Sequence, residues 1–241
     1  MVYVSKILER GMNVFALLPS YNEEKNIGKL VRELRKKGIN VLVIDDGSQD
    51  NTSQIAKKCG ALVLRNEKNL GKGAALKKGF EFLKKKDFDA LLILDADGQH
   101  SPKEVDKFLT EFVKKGSDLI IGNRFSTSPK GMPLIRYITN KVMSFLISFL
   151  VKKKIRDSQC GFRLMSKRFL EKLELETAHF EVESEMIFQA ILKGFNISEV
   201  CIDSIYRKEK SKINPFLDTL RFFKFLFKYL PKIWKKNLKK S

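Results

Sequence analysis

LILDADGQH, residues 92–100, joins an apolar run to a cluster of acids and polar residues. The apolar run Leu91–Leu94 reads as a short buried strand that ends in two carboxylates one residue apart, Asp95 and Asp97, followed by Gly98, Gln99 and His100. Side chains of an extended chain repeat every two residues, so Asp95 and Asp97 project to the same side. Two close carboxylates at the mouth of a strand repel each other, and a cation between them relieves the repulsion. Hard oxygen donors select Mg²⁺ or Mn²⁺, ions that usually also hold substrate phosphate oxygens. Taken alone, the same run reads equally well as an acidic turn after a strand.

Outward from it, the pattern recurs. The apolar strand Val41–Ile44 ends in Asp45-Asp46-Gly47-Ser48 and opens a helix at Thr52 or Ser53. The strand Val14–Leu18 ends in Pro19-Ser20-Tyr21-Asn22-Glu23-Glu24. In open α/β sheets ligands bind outside the carboxyl ends of the strands. Three strands delivering polar clusters at those ends argue for a nucleotide site.

The elements between them alternate. Ile27, Leu30, Val31 and Leu34 follow helical spacing up to Gly38, and Ala61–Leu64 reads as a third strand. A helix through Leu76, Phe80 and Phe82 follows, then a stripe of Val105, Phe108, Leu109 and Phe112 behind Pro102. The strand Asp118–Ile121 ends in Gly122-Asn123-Arg124. Such β-α alternation to about residue 125 implies a mainly parallel sheet with right-handed crossovers. The loop Gly71-Lys72-Gly73 lacks the full GxxxxGK[ST] spacing, and no GxGxxG follows the first strand, which argues against a P-loop NTPase and a dinucleotide fold. Two readings of the loop remain open: a close helix start that brings Lys72 to a nucleotide's phosphates, or ordinary surface.

Composition bounds the function. A chain of 241 residues with 43% hydrophobic content suits one α/β domain with an appendage. Cys59, Cys160 and Cys201 are odd in number and widely spaced, which suggests a reducing compartment and offers no zinc spacing. No charged-then-apolar leader is legible, so no secretory signal is expected. A formal charge of +19 calls for an acidic partner: nucleic acid, anionic lipid or phosphorylated substrates. Nucleic acid alone leaves the carboxylate clusters at three strand ends unexplained.

The second half changes character. Residues 132–151 are apolar but carry Arg136, Asn140 and Lys141, and the uninterrupted run Val142–Val151 is too short to span a bilayer, which takes about 20 residues. Arg156–Met165 reads as a glycine-centred loop before a helix, and Ile205–Ile213 as a basic loop after the strand Val200–Ile205. Loops of this kind beside a metal-nucleotide site suit capture of a second phosphate. At the C-terminus Arg221, Lys224, Lys228, Lys232, Lys235 and Lys239 form one stripe, while Leu220, Phe223, Phe227, Leu230 and Trp234 form another, widened by Phe216, Phe222, Phe225 and Leu226. That pattern predicts a basic amphipathic helix lying in the membrane interface, kinked or ended by Pro231. The domain expectation is therefore a globular unit over 1–213, with an interfacial insertion at about 132–154, and a separate helix over 214–241.

In this order LPSYNEE, VIDDGSxD, NxGKGxA, LDADGQH, GNR and DSQCGFR resemble the family 2 glycosyltransferases, and among them the dolichyl-phosphate or polyprenyl-phosphate hexose synthases. The resemblance covers about residues 12–213 and is specific as an ordered set. It implies a GT-A type α/β fold: a mainly parallel, Rossmann-like sheet with helices on both faces, plus amphipathic membrane-interface helices. It implies that Pro19, Tyr21, Glu23, Ile44 and Asp46 hold the nucleoside of a nucleotide sugar, with Lys72 and Ala96 beside it. Asp95, Asp97 and Gln99 would bind Mg²⁺ or Mn²⁺. Arg124, Arg136, Asn140, Arg207 and Lys212 match the region that grips the lipid phosphate, although Asn140 stands where a serine is expected. Asp97, Arg124 and Asp157 would carry catalysis, Asp157 as a positioning group at a place where other members keep a base. The implied activity is transfer of a hexose from a UDP- or GDP-sugar to dolichyl or polyprenyl phosphate, with inversion, at the cytoplasmic face of the membrane. DSQCGFR leans the donor toward UDP-sugars. Expected partners are the nucleotide sugar, the lipid phosphate and an anionic membrane surface, with no nucleic acid. Many relatives carry transmembrane hairpins after this domain; here a peripheral, monotopic attachment without a transmembrane helix is expected. The nearest alternative is a family 2 enzyme acting on a polysaccharide or other hydroxyl, with Asp157 as its base.

Overall fold

The computed structural model describes residues 11–126, 131–177, 181–203 and 215–238. Its sheet has seven strands: β1 (Val14–Ser20), β2 (Asn40–Asp45), β3 (Leu62–Arg65), β4 (Ala90–Ile93), β5 (Leu119–Asn123), β6 (Arg163–Ser166) and β7 (Ile197–Cys201). Around it run α1 (Glu24–Lys36), α2 (Thr52–Lys58), α3 (Lys72–Lys84), α4 (Val105–Lys115), α5 (Leu134–Val151), α6 (Lys167–Lys172), α7 (Val182–Leu192) and α8 (Pro215–Leu238).

The strand order is β3-β2-β1-β4-β6-β5-β7. β1 pairs in parallel with β2 and β4, and β2 with β3. β1, β2 and β4 are apolar almost throughout and their residues are buried, as strands covered on both faces require. From β1 the chain winds outward through β2 to β3, then returns to place β4 on the other side of β1. This reversal opens a crevice at the carboxyl ends of β1 and β4, where an open α/β sheet accepts its ligand.

The exception to parallel order is β6, antiparallel to both β4 and β5. The sequence expectation had a loop there leading to a helix. Only four residues long and opened by an arginine, β6 shows no alternation; it is a strand because its backbone pairs with β4 on one side and β5 on the other, with its residues buried. β7 also begins earlier than expected, registered on β5 from Leu119–Ile197 to Asn123–Cys201.

The C-terminal helix departs from the expected separate amphipathic segment. Helix α8 packs on α7 and α5, burying Phe222, Phe225, Leu226, Tyr229 and Ile233 in the main core. Its other face leaves Phe223, Phe227 and Trp234 exposed among Arg221, Lys224, Lys228, Lys232 and Lys235. The stripe that reads as one wide apolar face is thus divided: one part belongs to the core and another faces outward. Pro231 lies inside the helix and does not end it.

Helix α5 is split in the same way. Asn140, Met143, Ser144, Ile147 and Val151 face inward, whereas Leu134, Ile135, Ile138, Val142, Phe145 and Phe149 are exposed. It is longer than the expected Val142–Val151 run, at 18 residues, and is the one described helix long and apolar enough to cross a membrane by length and composition.

Candidate active site

The ends of β1 and β2 are built largely by side chains satisfying backbone. Thr52 Oγ1 accepts from the Glu23 N–H at 2.8 Å, and the Asp46 N–H donates to the Ser20 carbonyl at 2.8 Å. Asp45 is fully buried, accepting from the Ser48 N–H at 2.8 Å and from the Ser53 hydroxyl. The Asp46 carboxylate accepts from Asn66 Nδ2 at 2.7 Å and from the Leu70 and Gly71 N–H groups at 3.1 and 2.8 Å. Asp46 therefore fixes the loop that leads into α3. Beside these ends lies a cleft of about 590 Å³, lined by Tyr21, Ser48, Gln49, Asp50, Arg65 and Lys68 among others, a size that suits a nucleoside. Pro19 and Ile44 are partners in the β1–β2 register; of the expected nucleoside residues only Tyr21 lines the cleft, and Pro19, Glu23, Ile44 and Asp46 do not.

Asp95 and Asp97 follow β4 at the crevice. Gly98 turns the chain with φ +74°, and the Gln99 N–H donates to Asp97 Oδ1 at 2.9 Å, bringing Asp97 and Gln99 together; Ala96 is buried between the two carboxylates. Burial, then the charge of Asp95, pushes the Asp97 carboxyl up to about 6. Asp95 behaves oppositely: burial would raise it, but Lys72 offsets this and holds it below the usual carboxylate range. His100 is buried against Phe162, and burial lowers it to about 4, so it is neutral at pH 7.

Lys72 bridges two acids, with Nζ 2.5 Å from Asp95 Oδ1 and 2.6 Å from Glu183 Oε1. Burial would lower its pKa, but Asp95 and then Glu183 hold it above the ordinary lysine range. Of the two readings of the Gly71-Lys72-Gly73 loop, the surface one does not hold: Lys72 is directed into the crevice.

Asp157 and Arg124 form a second buried pair. Arg124 Nε and Nη2 donate to the two Asp157 oxygens at 2.7 and 2.8 Å, and the Arg124 N–H adds a bond of 3.1 Å. Both residues are buried. Arg163, also buried, donates from its three nitrogens to the carbonyls of Cys160, Glu183 and Ser158 at 2.9, 2.6 and 2.8 Å. It ties DSQCGFR to the start of α7. Asn140 is buried on α5 with the half-buried Arg136 one turn before it. Arg207 and Lys212 lie outside the described residues.

The donor set tests the implied metal. Among the described residues no three His, Cys, Asp or Glu side chains gather into a cage. Mg²⁺ is usually held by one or two carboxylates plus substrate phosphates, so the Asp95–Asp97 pair fits that mode. Sequence reasoning missed Glu183 and Glu185; it set Arg163 in a loop suited to a second phosphate, whereas its three nitrogens are engaged by backbone carbonyls. The signal was available: Glu183 and Glu185 interrupt an otherwise apolar helix, VESEMIFQAIL, and buried carboxylates demand partners.

Residues 16–174 match the family model described as Glycosyl transferase family 2. The chain is 31% identical, over 219 residues, to the UDP-N-acetylglucosamine–dolichyl-phosphate N-acetylglucosaminyltransferase of Methanococcus voltae, covering 80% of this chain and 86% of that protein. It is 29% identical to the polyprenol monophosphomannose synthase of Mycolicibacterium smegmatis, with coverage of 77% and 75%. Among solved structures it resembles glucosyl-3-phosphoglycerate synthase from Mycobacterium tuberculosis, in complex with Mn²⁺, UDP and glucosyl-3-phosphoglycerate. There the TM-score is 0.74 at 18% identity, covering 96% of this chain and 84% of the other. At that identity the likeness speaks for the fold.

Proposed function

The chain belongs to glycosyl transferase family 2, and from that premise we propose that it transfers a hexose from a nucleotide sugar to dolichyl or polyprenyl phosphate at the cytoplasmic membrane face. The observation that carries this reading is the union, on one fold, of the carboxylate pair at the β1–β4 crevice with an exposed apolar and basic face on α5 and α8. A soluble acceptor leaves that face without a purpose.

The nucleoside is assigned to the cleft beside Tyr21 and Ser48, with Pro19, Glu23 and Ile44 at the neighbouring strand ends and Asp46 holding the loop into α3. Asp95 and Asp97, with Gln99, would hold Mg²⁺ or Mn²⁺; bound there, the ion neutralises the charge of a departing diphosphate. Lys72 adds a fixed positive charge at the same place. In the reaction the bond from the sugar C1 to the diphosphate oxygen breaks and one from C1 to an oxygen of the lipid phosphate forms. Attack on the face opposite the leaving group inverts C1. A phosphate monoester has a second pKa of about 6, so it arrives mostly as the dianion and needs no general base. The bidentate pair with Arg124 favours a positioning role for Asp157, since a buried carboxylate so engaged is a poor proton acceptor. Arg136 and Asn140, with Arg124, Arg207 and Lys212, are assigned to the lipid phosphate. The M. voltae relative and the DSQCGFR motif favour a UDP-sugar as donor.

The face formed by α5 and α8 is assigned to the membrane, with the apolar rings entering the interface and the lysines meeting anionic headgroups. A panel of UDP- and GDP-sugars with polyprenyl phosphate and Mn²⁺, read out as lipid-linked monosaccharide, tests the proposal. The expected result is organic-extractable product that is inverted at C1. Transfer only to free hydroxyl acceptors would overturn it in favour of the polysaccharide alternative.

A further inference from the structure

Glu183, in the first turn of α7, lies outside the segment matched by the family model, yet it shares the Lys72 ammonium with Asp95. We infer that Glu183 is a positioning residue for the transfer: it carries the Lys72 ammonium, so that Lys72 can exchange Asp95 for the departing diphosphate without becoming an uncompensated buried charge. This rests on the sugar-nucleotide reading above and deepens it.

The asymmetry of the two ion pairs supports this. The Glu183 side chain is 6% exposed, against 28% for Asp95. Glu183 Oε2 is buried with no hydrogen-bond partner, and Lys72 is the one ion-pair partner of Glu183 among the described residues. A buried carboxylate that loses its cation is strongly destabilised, whereas a partly exposed one can exchange partners. Glu183 is therefore the fixed anchor and Asp95 the exchangeable end. The anchor's backbone is also fixed, because Arg163 Nη1 donates to the Glu183 carbonyl at 2.6 Å. On another side Gly161 closes over the pair: a Cβ there would stand 2.3 Å from Asp95 Oδ2 and 2.7 Å from Lys72 Nζ. An ammonium has three N–H donors. With two engaged by carboxylates, the exchange turns one of them toward a phosphate oxygen while Glu183 keeps the other.

The test uses full-length protein with ¹⁵N-labelled lysine, metal-free and then with Mg²⁺ and UDP or GDP. In the wild type, Lys72 gives an ammonium resonance protected from exchange by its carboxylate partners, and Mg²⁺ with nucleotide shifts it without erasing it. Glu183→Gln is expected to erase or displace that resonance in the metal-free protein and to weaken Mg²⁺-dependent nucleotide binding about tenfold, the scale of one lost charged hydrogen bond. Glu183→Asp keeps the charge, and the flexible lysine follows it, so affinity recovers to within about threefold of wild type. An unchanged Lys72 resonance in Glu183→Gln overturns the inference. So does equal impairment of folded Glu183→Gln and Glu183→Asp, the mark of a purely structural role. Should Glu183→Gln fail to fold, Glu183→Asp decides: a displaced but still protected Lys72 resonance upholds the contact, and an unchanged one overturns the inference. Wild-type protein that binds neither nucleotide overturns the sugar-nucleotide reading itself. Nucleotide binding that is intact in all variants overturns the role of Glu183 alone.

Discussion

Tyr229→Phe isolates the bond that seats α8 on the fold. The Tyr229 hydroxyl donates to Glu185 Oε1 at 2.8 Å, and Glu185 is fully buried. The same carboxylate accepts from the Glu176 N–H at 2.9 Å and, through Oε2, from the N–H and hydroxyl of Thr177 at 2.9 and 2.6 Å. Phenylalanine keeps the ring against Phe188 and Phe225, so packing is preserved and only the hydroxyl is lost. A hydrogen bond to a charged group contributes about 1.5–3 kcal/mol. Because Glu185 retains other donors, a loss of about 1.5–2 kcal/mol is expected, or roughly 3–8 °C in Tm for a domain of this size. Burial, and then the bond to Glu185, holds the Tyr229 pKa above its ordinary value. The hydroxyl's contribution is thus complete below the unfolded pKa of about 10 and is lost only as pH rises through the folded one, so the cost should be the same at pH 6 and pH 9. Lys228→Ala, which removes an exposed, solvent-screened pair with Glu176, should leave the unfolding midpoint nearly unchanged. Urea unfolding followed by circular dichroism measures both. A Tyr229→Phe protein within about 0.5 kcal/mol of wild type, the range of ordinary surface changes, would refute the seating of α8 through Glu185.

Asp97→Ala should lower transfer by about 10²-fold or more, the scale of other lost transition-state charge contacts, and near-normal turnover with excess Mn²⁺ would remove Asp97 from the metal assignment. Asp157→Asn leaves the buried Arg124 guanidinium without its counter-charge, so a loss of about 3 kcal/mol or more in urea unfolding is expected; an unaltered midpoint would contradict the pair's weight. Replacing Phe227 and Trp234 together by serine should cut sedimentation with anionic vesicles while leaving unfolding unchanged, since both rings are exposed; unaltered vesicle binding would place the membrane face elsewhere. Asp118 is buried, which raises its pKa, but Arg168, the Asn196 N–H and Ser166 more than offset this and hold it low. Its stabilisation is present above the unfolded pKa of about 4 and lost as pH falls through the folded one; Asp118→Asn should therefore cost about 2 kcal/mol at pH 7, and the gap should close on acidification.

The parallel half of the sheet and its crevice are legible in the amino-acid order alone. Runs such as Val41–Ile44 and Leu91–Leu94 are buried on both faces, and each is followed directly by its polar cluster, so strand and site are read from one continuous stretch. Asp95, Asp97 and the loop around Lys72 were legible because the residues that act together there lie within a few positions of a strand end. Contacts across long separations were not legible. Lys72 meets Glu183, and Glu185 meets Tyr229, only after α7 and α8 have packed, and nothing local to either partner announces the other. The same limit hid β6, whose four residues become a strand through β4 and β5 rather than through their own pattern. It also governed the C-terminal helix. Helical spacing shows that Phe222, Phe223, Phe225, Leu226 and Phe227 share a broad apolar surface, but which of them meets the core depends on the rotation of α8 against α7 and α5. Packing at close density selects one rotation, and it buries Phe222, Phe225 and Leu226 while leaving Phe223 and Phe227 outside.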